Sequence, residues 1–294
     1  MADQTVLLLL DDTFRFSCSE AVPCFNKCCR DLNQFLTPYD ILRLKNRLGI
    51  PSGLFLKKYT SEHTGPGSGL PIVSLKFDYA SQYKCPFVTP SGCSVYEDRP
   101  SSCRTYPLAR ILTKSRETGN IAEQYMLLKE PHCLGFNCEQ TQTVREWIES
   151  QGIAVYNEMN DLLMDIISLK NRLMPGGSID DKSRRIFNMA CYDLDTFRSH
   201  IFEPQKRAHS PLLAAGLASE SKNSKLHYGR CEALPPGRTF HAACGGELQK
   251  GILNDLNLDI DTLDAVKNDD VALLKLGVNW IKQVLFNNKS MPST

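Results

Sequence analysis

The stretch FSCSEAVPCFNKCCRD, residues 16–31, places Cys18, Cys24, Cys28 and Cys29 within twelve positions and sets the last two side by side. Thiols crowded in this way have three uses: packing, disulfides or metal ligation. Packing is a weak reading, because small buried thiols do not need to be neighbours. Disulfides are unnecessary for a chain of 294 residues and 42% hydrophobic content, which is long enough to bury a core without staples. Metal ligation remains, and the rest of the chain supports it. Nine of the twelve cysteines lie in the first 138 residues: Cys18, Cys24, Cys28, Cys29, Cys85, Cys93, Cys103, Cys133 and Cys138. Only Cys191, Cys231 and Cys244 follow.

Soft thiolate ligands select zinc, copper(I) or iron–sulfur clusters, and such sites are built by joining short-spaced groups from distant segments. Here the groups are C-x5-C-x3-CC, then C-x7-C-x9-C in KCPFVTPSGCSVYEDRPSSCRTYP, then HCLGFNC. Pro86, Pro90, Gly92, Pro100 and Pro107 supply the tight turns that aim several side chains at one point. Adjacent Cys28 and Cys29 point to opposite sides of an extended backbone. Either two metal centres or one multinuclear cluster share this segment, or one of the two is a packed thiol. Cys191, within MACYDL, reads as a core residue, and Cys138 as a cover for a helix end.

The formal net charge of +1 gives no nucleic-acid or polybasic membrane footprint, so the expected partner is a protein or a small molecule. The acidic MADQ start and the five-residue apolar run from Val6 to Leu10 predict neither a secretory signal nor a membrane span, hence a cytoplasmic, reducing setting. The polar neighbours of the thiols are Arg99, Arg104, Tyr96, Tyr106 and His132. Guanidinium groups beside thiolates offset their charge, raise a reduction potential or dock an anion, so Arg99, Arg104 and Tyr106 are the candidate cofactor-binding residues. The competing reading pairs these arginines with Glu97, Asp98 or Asp31. His132 is a candidate ligand or a hydrogen-bonding neighbour of one.

Helix signals surround this half. Thr37-Pro38 opens and Gly49 closes a helix over YDILRLKNRL, and a second short helix runs from Ser52 to Tyr59. EHTGPGSGLP reads as a loop before the strand PIVSLKFDY, and SRETGN joins strands near 107–113 and 122–129. From Thr141 the period becomes helical in TVREWIESQG, IAVYNEMNDLLMDIISLKNRL and SRRIFNMACYDLDTFRSHIF. The expected fold is therefore α+β: a small cysteine-rich, metal-stapled domain of short strands and helices over residues 1–138, then a helical bundle. The helical region covers 139–204, an irregular linker or insertion 205–248, and C-terminal helices 249–294, with Asp261 and Asp269 or Asp270 as caps.

The motifs F-x-C at Phe16 to Cys18, CFNKCCR at 24–30, LTPYDILRLKNRLG, CPF, GC-x-VYEDRP-x-x-CRTYPL and HCLGF, in this order, resemble the YkgJ-type cysteine-cluster proteins with their zinc- or iron-chelating CxxCxxCC domain. The resemblance implies metal ligation by Cys18, Cys24, Cys28, Cys29, Cys85, Cys93, Cys103 and Cys133. The first intervals depart from the family pattern, with five and three intervening residues where two and two are usual.

Three functions follow from the resemblance and the residues together. The first is an iron–sulfur protein with a redox, radical or methyl-transfer role, whose enzymatic form is an oxidoreductase or methyltransferase-like activity. The second is a structural or storage module for zinc or mononuclear iron, and the third an interaction protein whose metal domain braces a partner-binding helical region. The C-x3-C-x2-C radical signature is absent, since Asp31 stands where the third cysteine belongs. GPGSG at 65–69 precedes a strand and so lacks the helix N-terminus of a phosphate loop. Neither HExxH nor GxSxG occurs.

Overall fold

The computed structural model describes residues 6–30, 33–114, 121–202 and 260–286. The fold is α+β, with mixed helices and short antiparallel strands first and helices after them. Contacts divide the chain into two compact units, Met1–Asp165 and Ile166–Thr294.

In the first unit, β1 (Val6–Leu8), β8 (Leu108–Lys114) and β9 (Ile121–Leu127) form one antiparallel sheet with β9 central. Between β1 and β8 in sequence lie β2 (Thr13–Arg15), β3 (Phe35–Leu36), β4 (Thr60–Thr64), β5 (Pro71–Leu75), β6 (Val88–Thr89) and β7 (Gly92–Cys93). Strand β2 pairs with β10 (Thr141–Thr143), β5 lies between β3 and β4, and β6 pairs with β7. Phe14 within β2 and Phe16 just after it enter a core with Leu8, Leu108, Tyr125, Val144 and Trp147. That core holds the backbone on either side of Cys18 in place.

Helix α1 (Pro38–Leu48) bears out its sequence signals: Thr37 caps it in a reciprocal box with Asp40, and Gly49 ends it in the left-handed region at φ 62°. Helix α2 (Ser52–Tyr59) follows as expected and buries Phe55. One local reading is corrected. Glu62, His63 and Thr64 form strand, because each pairs with β5, and only the Gly65–Leu70 tip remains loop. Long-range pairing overrides the turn-rich composition here.

The short helix α3 (Ser101–Thr105) is tied to α4 (Val144–Ser150) by the Trp147 indole N–H, which donates to the Thr105 carbonyl at 3.1 Å. Helix α5 (Ala154–Leu173) begins in this unit, where Tyr156 packs edge-on to Tyr39 at 5.0 Å. Val155, beside Tyr156, is exposed.

The second unit contains α6 (Asp181–Cys191), α7 (Leu194–Phe202), α8 (Ile260–Lys267) and α9 (Asp270–Ile281). The segment read as one helix from Ser183 is two. Asp193 breaks it by accepting from the backbone N–H and hydroxyl of Thr196, as an N-cap does. Asp269 caps α9 as expected. Cys191 is fully buried, and the Phe197 ring stacks on Trp280 at 5.6 Å. Gly277 of α9 backs directly onto the Ala190 carbonyl, so helix contact here requires glycine. The linker expected over 205–248, with Cys231 and Cys244, and the cap expected at Asp261 lie outside the residues whose side chains are described.

Candidate metal centre

The segment from Cys18 to Arg30 is a chain of tight turns. Val22, Phe25, Lys27 and Cys29 each donate to the carbonyl three residues earlier, which keeps four thiols close together without a helix. Two docking contacts fix this segment. On one side Ser17 N–H donates to the Gly135 carbonyl at 3.0 Å, and Leu134 N–H donates to Cys24 Sγ at 3.2 Å. On the other, Cys85 N–H donates to the Cys29 carbonyl at 3.0 Å, and the Asn26 side chain donates to the Thr89 carbonyl at 3.1 Å.

These contacts sort the thiols into two neighbourhoods. Burial, then the thiols of Cys28, Cys24 and Cys133, push the Cys18 pKa up to about 11, and Arg99 opposes them. Cys29 is raised by its hydrogen bond with Cys28, then by burial, and further by Cys85 and Cys103. Cys103 is raised by burial, then by Cys85, Asp40, Cys93 and Cys28. By these couplings Cys18 falls with Cys24, Cys28 and Cys133, and Cys103 with Cys85 and Cys93, two sets that overlap at Cys28-Cys29 because Cys29 and Cys103 both feel Cys28. The hydrogen bond between these neighbours lowers Cys28 to about 7, because Cys29 donates to its thiolate. Cys18 and Cys103 keep solvent exposure although protein crowds around them.

The second set has the backbone geometry of a thiolate ligand loop. Phe87 and Val88 N–H donate to Cys85, and Val95 N–H donates to Cys93, each favouring the thiolate, although burial raises both thiols overall. The β6–β7 hairpin between them, with Val88 opposite Cys93, sets their separation. Gly92 at φ 115° lies where a Cβ would stand 3.2 Å from the Phe25 ring, so the hairpin approaches the Cys24–Cys29 segment only with glycine there.

Cys103 is delivered by α3. The buried Asp40 carboxylate accepts from Ser101 N–H at 2.8 Å and Ser101 Oγ at 3.1 Å, while also accepting from Thr37 N–H at 2.8 Å to close the α1 capping box. Gln34 completes the placement, accepting from the Cys103 thiol at 3.4 Å.

Arg99 and Arg104 are both buried, with their donors turned to backbone and amide oxygens. Arg104 donates to the carbonyls of Arg99 at 3.2 Å, Gln151 at 2.6 Å and Glu97. Arg99 donates to the Tyr96 carbonyl at 2.9 Å and to the Gln151 side chain, and its guanidinium lies 3.8 Å from the centre of the Tyr96 ring. Asp98, one of the acids weighed as an arginine partner, pairs with Arg43 at 2.5 Å. Arg99 also interacts electrostatically with Cys18, Cys93 and Cys103, members of both sets. Tyr106 reaches Glu130 at 3.3 Å and bonds Cys133; burial first, then that bond, raises its pKa. His132 turns to Glu130 at 3.3 Å, and the Cys138 thiol donates to the Gln140 carbonyl at 3.6 Å.

The ten described cysteines are all unbridged. Among the described residues, no group of three or more His, Cys, Asp or Glu side chains is assembled in a form that could hold a metal ion. The sulfurs are neighbours rather than a closed ligand shell. In chemistry the donor types fit zinc or iron: eight neighbouring thiols, several already receiving N–H groups, with a buried cation beside them.

Residues 17–134 match the family model CxxCxxCC, described as "Putative zinc- or iron-chelating domain". This span is similar to the cysteine-cluster family. The matched span, about two fifths of the chain, contains all eight of the clustered thiols and stops one residue past Cys133, leaving Cys138 outside. The match supports metal binding by this span, with zinc or iron as the metal the family description gives. No curated protein and no solved structure matches the chain. Among the described residues, no helix is long and apolar enough to cross a membrane.

Sequence reading missed the residues that place these thiols. Asp40 carries a local signal, being the third residue of a helix opened by Thr37, but its bond to Ser101 spans 61 positions. Gln34, Asn26 and Gln151 carry none.

Two outcomes follow from this geometry. A Cβ at Gly135 would stand 2.6 Å from the Ser17 carbonyl and 2.7 Å from the Phe16 ring. Gly135→Ala is therefore expected to cost about 1–3 kcal/mol and to move Cys133 away from Cys18 and Cys24, read as a lower unfolding midpoint together with weaker metal retention against a chelator. The raised thiols of Cys18, Cys29, Cys85, Cys93 and Cys103 are protonated near neutrality and must lose protons on ligation, so metal affinity should rise with pH across 6 to 8. Competition titrations at several pH values should show at least a tenfold gain per pH unit.

Proposed function

We propose that the cysteine-cluster domain holds two thiolate-ligated centres, that its metal is iron with inorganic sulfide, and that it serves electron transfer or the reductive step of a radical or methyl-transfer reaction. The observation that carries this reading is the docking of the Cys18–Cys29 turns on two sides, Leu134 N–H on Cys24 Sγ beside Cys133 and Cys85 N–H on the Cys29 carbonyl, with Arg99 in the field of thiols on both sides. Four sulfurs per set match the usual ligand number of an iron–sulfur cluster. Leu134, Phe87, Val88 and Val95 N–H groups and the Arg99 guanidinium withdraw charge from the sulfurs, which favours an added electron. Tyr106, through Cys133, and Arg104, beneath Arg99, support this environment.

The test is the metal and acid-labile sulfide content of anaerobically purified protein, with an absorption spectrum of the same sample. Iron with matching sulfide and broad visible absorption is expected; zinc without sulfide overturns the redox reading.

A second reading rests on the Cys85-Pro86-Phe87-Val88 turn, whose N–H groups point at one sulfur beside a two-stranded hairpin. That is also the build of a structural zinc site. In this reading the metal braces the fold and the helical region binds a partner. Zinc whose removal by a chelator unfolds the first unit is its signature.

A further inference from the structure

Strands β1 and β2 belong to different sheets, and a cleft of about 500 Å³ opens between them. Its apolar lining is Val6, Leu8, Phe14, Leu127 and Phe136, and its polar lining is Thr13, Thr141, Arg15 and Lys129. Among the described residues, no carboxylate lines it. Arg15 and Lys129 are both exposed, and neither pairs with an acid among the described residues; Lys129 lies 5.8 Å from the centre of the Phe136 ring. Thr141 is directly opposite Arg15 in the β2–β10 pair, so a hydroxyl and a guanidinium share one rim. An apolar floor with two unneutralised cations above it is complementary to one kind of ligand.

We propose that this cleft binds a small organic molecule with an apolar body and an anionic head, carboxylate or phosphate. The body lies on Leu8, Phe14, Leu127 and Phe136, and the head meets Arg15 and Lys129. Phe136 connects the cleft to the first thiol set: its ring packs on Phe16 at 5.2 Å, and both Phe136 and Cys133 pack against the same core. The binding claim does not depend on which metal the thiols hold.

Calorimetric titration of the full metal-loaded chain with decanoate and with decyl phosphate, each below its micelle concentration, tests the proposal, with decanol as the neutral control. One-site binding of at least one anionic probe is expected, at least tenfold tighter than decanol. The exposed double substitution Arg15→Gln with Lys129→Gln should bring that probe to within about threefold of decanol while leaving the metal content unchanged. Decanoate alone binding identifies a carboxylate head, and decyl phosphate alone a phosphate head. Absence of saturable binding by both probes, or equal affinity in the wild type and the double variant, overturns the proposal.

Discussion

Replacing Cys18 by serine is expected to remove one metal centre and leave the other, and replacing Cys103 should do the same for the opposite centre. Cys18 interacts with Cys28, Cys24 and Cys133, whereas Cys103 interacts with Cys85, Asp40 and Cys93 before Cys28, so the proposal makes each a ligand of a different centre. Structural thiolate sites bind with on the order of 10–16 kcal/mol. A serine oxygen in place of one sulfur forfeits enough of that for metal to be lost on gel filtration with a mild chelator. Metal analysis should give about half the wild-type content for each single variant and almost none for the double. Cys191→Ala, in the core of the second unit, should keep full metal content despite a loss of stability from the cavity it leaves. Equal metal in Cys18→Ser and wild type would remove Cys18 from the ligand set.

The second large effect is expected at Asp40. Its carboxylate is fully buried; burial raises its pKa, and the hydrogen bonds from Thr37 and Ser101 oppose that shift. Those bonds join the start of α1 to the start of α3, the helix that carries Cys103. Asp40→Ala leaves the Thr37 and Ser101 N–H groups without an acceptor in a dry site, at roughly 1–3 kcal/mol each. The total, about 2–6 kcal/mol, is a large fraction of the stability of an ordinary domain. Thermal unfolding of the metal-free variant should show it. In metal-loaded protein, the Cys103 centre should be lost first, since α3 no longer has a fixed start. Asp40→Asn, which keeps one acceptor oxygen, should retain more of both properties. A variant with wild-type unfolding and full metal content would show that Asp40 does not position α3.

Local signals carried well from sequence to structure where the physics is local. Thr37-Pro38 and Gly49 bound α1 because capping and φ preference act within a turn of the helix. The strands on either side of SRETGN could be read because their apolar and β-branched residues pair with the next strand in the chain. The eight clustered thiols could be named from spacing and family pattern. Which thiols lie beside one another could not, because that depends on Leu134 reaching Cys24 across 110 positions and Cys85 reaching Cys29 across 56. Arg104 shows the same limit. Its position beside Cys103 drew attention to its charge, but its guanidinium satisfies three carbonyls, and only the fold brings Glu97 and Gln151 to it. Strand β4 and the break at Asp193 were obscured for opposite reasons. Tertiary pairing overrode a turn-rich composition in β4, and a single capping side chain overrode helical periodicity at Asp193.

Native mass spectrometry of the anaerobically purified chain counts the centres. A bound mass corresponding to two metal centres is expected, falling to one in Cys103→Ser. A wild-type chain at its bare polypeptide mass, or one carrying a single centre that survives both Cys18→Ser and Cys103→Ser, would contradict the two-centre proposal.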